Sequence, residues 1–78
     1  MPKYPNLAAE IARRGVTVNQ MAKAIGCKPR SMSQRLNGDV RLTLDEAMEL
    51  RERFFADCEP LMLFETRKEV IDGAVKNQ

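Results

Sequence analysis

Residues 18–38, VNQMAKAIGCKPRSMSQRLNG, constrain this chain more than any other stretch. Val18, Met21, Ala22 and Ile25 recur at i, i+3, i+4 and i+7, which marks one face of an α-helix. Gly26 supplies a stop, because a residue without a Cβ enters the left-handed region at no steric cost. Pro29 then suits the opening turn of a second helix, where a missing N–H leaves no intrahelical acceptor unserved. Met32 and Leu36, four apart, give that helix an apolar side. Arg30, Ser33, Gln34 and Asn37 share the opposite side, and Asn37 followed by Gly38 ends it. The spacing predicts two short helices, 18–25 and 29–37, joined by a tight turn, with the second one polar outward.

The flanking sequence continues in helical period. Leu7, Ala8, Ile11 and Ala12 form a stripe behind Pro5 and Asn6, which predicts a helix over 6–14. Thr17 with Gln20, and Thr43 with Glu46, have the spacing of capping boxes, in which a hydroxyl and a side chain three residues on satisfy each other's backbone N–H. A fourth helix is expected over 43–55, with Leu44, Ala47, Met48, Arg51, Phe54 and Phe55 inward and Leu50 at the margin. A short fifth is expected at 60–64. The fold class is therefore all-α, a four- to five-helix bundle over residues 1–64. Residues 65–78 form a tail whose stripe of Val70, Ile71, Ala74 and Val75 is interrupted by Gly73, a marginal helix or a disordered end.

Composition narrows the function classes. Seventy-eight residues make one domain, 44% apolar and 31% charged, ordinary for a globular chain. No run approaches the roughly 20 apolar residues of a membrane span, and the N-terminus lacks a secretory apolar core, so a cytoplasmic location is expected. Cys27 and Cys58 match no metal spacing and are expected to be reduced, half-buried thiols. Histidine is absent, no glycine-rich phosphate loop occurs, and nothing calls for a cofactor or a metal; an enzyme is not expected. The net charge of +2 conceals an asymmetry. Residues 1–42 carry eight basic against two acidic side chains, a net of +6, and residues 43–78 carry five against nine, a net of −4. A basic half that contains the paired helices is the footprint expected for a polyanion partner.

The motif xxxMAxxIGxxxxxMSxxLNG resembles the phage Cro and repressor family of helix-turn-helix proteins, the xenobiotic-response-element type, and most of all its short phage and prophage repressors. Ala22 matches the small residue where the two helices cross, Gly26 the turn glycine and Met32 the apolar anchor of the recognition helix. Ser33 matches the polar residue after that anchor, and Asn37 with Gly38 matches the exit. The resemblance covers residues 7–64 and implies a lambda-repressor-like DNA-binding domain with a central helix-turn-helix. Lys28 and Pro29 depart from the family, which often places Ser or Thr at the start of the recognition helix.

On this reading helix 29–37 enters the major groove, where each base pair presents its own donor and acceptor pattern. Arg30, Ser33, Gln34 and Asn37 are the candidates for base readout. Arg30 has the geometry for guanine O6 and N7, and Gln34 for adenine N6 and N7. Asn19, Gln20, Lys28, Arg35 and Arg41 are the candidates for phosphate contact. One short helix reads few base pairs, so a weak homodimer on double-stranded operator DNA is expected, through residues 61–64 with Met62 in preference to the tail stripe. The competing reading is a protein-interaction module with its own protein partner, such as the antitoxin of a toxin–antitoxin pair, presenting the acidic half and the tail.

Overall fold

The computed structural model describes residues 2–66, and all regular structure among them is helical. Helices α1 (Pro5–Arg14), α2 (Val18–Ile25), α3 (Pro29–Asn37), α4 (Leu44–Phe54) and α5 (Pro60–Leu63) follow in order. Each lies within a residue of its expected bounds, a difference that frayed helix ends produce routinely. The tail stripe Val70, Ile71, Ala74 and Val75 lies outside the described residues.

Both capping boxes form. Thr17 Oγ1 accepts from Gln20 N at 3.0 Å, and Gln20 Oε1 accepts from Thr17 N at 2.9 Å. Thr43 Oγ1 accepts from Glu46 N, and Glu46 Oε1 from Thr43 N, each at 3.1 Å. Helix α1 begins differently. Its cap residue Tyr4 offers no side-chain bond, Pro5 opens the first turn, and Asn6 reaches outward to donate to the Met62 carbonyl at 2.7 Å. The start expected at Pro5 and Asn6 thus doubles as the tie between α1 and α5.

Two buried clusters hold the helices together. Met21, Ala22, Met32 and Leu50 form one, at the junction of α2, α3 and α4. Leu7, Phe55 and Leu63 form the other, between α1, the end of α4 and α5. Ile11, Val16, Leu36 and Phe54 pack against both clusters and join them. The face of α4 departs from expectation at two positions. Leu50, expected at the margin, is fully buried, and Leu44, expected inward, is 75% exposed. The buried stripe runs Ala47, Leu50 and then half-buried Phe54, spaced by three and four. Leu44 occupies the first helical position, and side chains on a helix tilt toward its N-terminus, so this one projects past the end of α4.

Arg14 locks α1 to the turn after α4. Its guanidinium donates to both carboxylate oxygens of Asp57 at 2.7 and 2.9 Å, to Glu10 Oε1 at 2.9 Å and to the Phe54 carbonyl at 3.1 Å. It also lies 5.5 Å from the centre of the Phe55 ring. These contacts raise the Arg14 pKa, Asp57 contributing most, and hold the Asp57 carboxyl below its ordinary value. Glu10 is held below its own first by Arg13, which donates to the same Oε1 at 2.6 Å, and then by Arg14. Arg51 in turn closes the C-terminal end of α4 by donating to the Cys58 and Ala56 carbonyls.

Candidate nucleic-acid interface

The α2–α3 pair is built around a turn of three residues, Gly26 to Lys28. Gly26 takes φ +77°, which lets the N–H of the next residue, Cys27, return to the Ala22 carbonyl at 3.0 Å while the chain reverses. Ala22 is 2% exposed and packs in the same cluster as Met32, so a small side chain lies where the two helices meet. Met32 is fully buried and anchors α3 from beneath. That anchor fixes which side of α3 faces solvent.

On the outer side, Arg30 and Asn37 are exposed, and Ser33 and Gln34 are half-buried between them. Among the described residues, no side-chain hydrogen bond or ion pair engages any of the four. All the expected base-reading positions therefore lie on one side of α3 with their donors and acceptors uncommitted. Lys28 stands exposed at the cap position of the same helix, in extended backbone and without a capping bond. Arg41 is exposed in the loop that follows. Asn19 is exposed in the first turn of α2, beside Gln20, whose amide oxygen is already taken by Thr17 and whose amide N–H groups remain open.

Arg35 has a different environment from the one expected of a phosphate contact. Its Nε donates to Glu46 Oε1 at 3.1 Å and its Nη2 to Glu46 Oε2 at 3.3 Å, while Nη1 donates to the Ser31 carbonyl at 3.2 Å and to the Ser31 hydroxyl. The side chain is 15% exposed. The paired guanidinium pulls the Glu46 carboxyl below its ordinary range, and Glu46 raises the pKa of Arg35. Glu46 thereby serves two structures with one carboxylate, the capping box of α4 and the brace on α3. Nothing in its spacing from Thr43 announces the second role, since only folding brings it beside Arg35.

Comparison with known proteins returns no matching family model, no matching curated relative and no matching solved structure. The site must then be read from its own chemistry.

Its electrostatics are asymmetric in a useful way. Among the described residues, carboxylates pair with Arg13, Arg14, Arg35 and Arg53. They leave Lys3, Lys23, Lys28, Arg30, Arg41 and Arg51 without a carboxylate within 4.0 Å; Arg51 spends its donors on the Cys58 and Ala56 carbonyls, and the other five fall in the first 41 residues. Lys3 escaped the sequence reading. Its backbone N donates to the Leu36 carbonyl at 3.0 Å, which brings the start of the chain to the last turn of α3. No sequence signal marks that contact, because a backbone donor is available at almost any residue. Away from this region the surface changes character, with Leu61 84% exposed and Met62 62% exposed on α5. Cys27 and Cys58 are both free and half-buried.

Proposed function

We propose that this chain is a sequence-specific regulator of transcription, a Cro-like repressor that lays α3 in the major groove of an operator and works in the cytoplasm. One observation carries the reading: four polar side chains stand uncommitted on a single side of a rigidly anchored helix, flanked by unpaired cations. A solvated helix face needs no such concentration of unpaired positive charge. The turn geometry of α2 and α3 and the five-helix order support a lambda-repressor-like arrangement of the Cro and repressor type.

In this mechanism Arg30 and Gln34 read base edges, with Ser33 and Asn37 on the same strip, each good bidentate pair discriminating by about 1–3 kcal/mol. Asn19, Gln20, Lys28 and Arg41 hold phosphates and set the register. Arg35 holds α3 through Glu46 instead of touching the duplex. Two chains bind a two-fold operator as a weak homodimer, with half-sites about 34–36 Å apart. Within residues 61–64, Leu63 is buried and Phe64 packs edge-on to Tyr4, so Leu61 and Met62 form the apolar contact between copies. Those two exposed side chains also favour a second reading, in which α5 meets a different protein, as in the antitoxin of a toxin–antitoxin pair.

Selection of bound duplexes from a random pool tests the proposal. A defined operator should emerge, and Arg30→Ala and Gln34→Ala should each relax preference at particular positions. Lys28→Ala and Arg41→Ala should weaken binding to every sequence and shallow the salt dependence by about one unit of slope each. Wild-type preference in both Arg30→Ala and Gln34→Ala would refute the assignment of α3. Sedimentation with a two-half-site duplex should show two chains bound cooperatively, and one chain per duplex would remove the dimer.

A further inference from the structure

We propose that Lys3 is an additional contact to the DNA phosphate backbone, carried to the interface by a strap made from the first residues of the chain. The inference rests on the duplex-binding reading above. Three observations place the strap. Lys3 N donates to the Leu36 carbonyl at 3.0 Å, so the backbone is tied to the last turn of α3. The aliphatic stem of Lys3 lies over Gly38, close enough that a Cβ there would fall 2.9 Å from Lys3 Cδ and 3.4 Å from its Cβ. Tyr4, the next residue, is half-buried, packs in the second core cluster and meets the Phe64 ring edge-on at 6.1 Å. Backbone and neighbour are held, and the stem rests beside Gly38.

The charge alone is left over. Lys3 is exposed and has no carboxylate within 4.0 Å among the described residues. Its stem covers the residue immediately after Asn37, at the exit of the helix assigned to base readout, and the loop beyond leads within three residues to Arg41. A lysine whose backbone is tied down and whose stem lies against Gly38 starts from fewer conformations than one on a free terminus, which lowers the ordering cost of a phosphate contact. The bare glycine at 38 is what admits that stem. Its φ of +90° already favours glycine, and a side chain there would also displace the strap.

A purely structural role is the competing explanation, because a cation at the carbonyl end of α3 also favours the helix dipole. The two separate cleanly by substitution. Lys3→Met keeps a stem of similar length and the backbone bond but removes the charge, and Lys3→Arg retains both. The probe is a mixed-sequence duplex titrated with the full chain at salt concentrations from about 50 mM upward, with circular dichroism establishing that each variant is folded. Lys3→Met should lower the slope of log affinity against log salt by about 0.9, the value for one phosphate, and weaken binding by roughly tenfold at 50 mM salt. Lys3→Arg should restore the wild-type slope. A Lys3→Met protein with the wild-type slope overturns the inference and leaves the duplex reading standing. Absence of salt-dependent duplex binding by the wild-type chain overturns both.

Discussion

Of the five side chains expected at phosphates, Arg35 is the one whose donors are committed within the protein. In the sequence it is one more cation on a basic helix, and Gln34 before it and Asn37 two positions on are candidates for the duplex. In the structure its donors are spent on Glu46 and Ser31. Arg35→Met should therefore lower the melting temperature and leave the salt slope of duplex binding unchanged, the reverse of the pattern expected for Lys28→Ala. Glu46→Gln keeps a residue able to complete the capping box but weakens the brace. A loss of roughly 0.5–1 kcal/mol, measured by urea unfolding, is expected for such a partly exposed pair. A lowered salt slope in Arg35→Met would return Arg35 to the phosphate set. The outer residues Arg30, Ser33, Gln34 and Asn37 were legible because helical period assigns sides from spacing alone. The pairing of Arg35 was not, since its partner lies eleven positions away on another helix.

At the scale of elements, α2 and α4 start with complete capping boxes and α3 does not. Lys28 has the extended backbone of a cap residue, φ −81° and ψ 154°, but a side chain that cannot accept from the first turn. A serine there would. Lys28→Ser is expected to stabilise the domain by about 1 kcal/mol, a rise in melting temperature of roughly 4–8 °C for a chain of this size. The same substitution should weaken duplex binding at low salt. A gain in stability without that loss would show that Lys28 is outside the interface. Helix boundaries came through well from the sequence because the signals that set them, caps, prolines and left-handed glycines, act within four residues. The inward face of α4 came through less well. Whether Leu44 or Leu50 is covered depends on where the other helices end, and that is a property of the packed molecule.

For the molecule as a whole, the carboxylates of Glu10, Glu46 and Asp57 are all held below their ordinary values by arginines. A lowered pKa in the folded state means that stabilisation is complete above the unfolded carboxylate range and is lost as pH falls through the folded values. Melting temperature should stay level from pH 7 to about pH 5 and then decline through pH 4 and below. Asp57→Asn should melt lower than wild type at neutral pH and lose less on acidification, so that the two curves converge in acid. Parallel curves would detach the Arg14 contacts from acid stability. The all-helical architecture was legible from periodicity. The Arg14 junction was not, because it joins residues 43 positions apart through a turn with no periodic signal.

The two methionines buried in the core, Met21 and Met32, give the protein a particular response to peroxide. Both sulphurs are shielded from solvent, whereas Met62 stands 62% exposed. Oxidant reaches Met62 ahead of Met21 and Met32 and turns an exposed apolar side chain into a polar sulfoxide. The inner pair react only when α2 and α3 part, and a sulfoxide in either position then prevents them from closing again. Oxidative damage to these three methionines thus proceeds in two stages, first on the outer face of α5 and then, at the pace of unfolding, between α2 and α3.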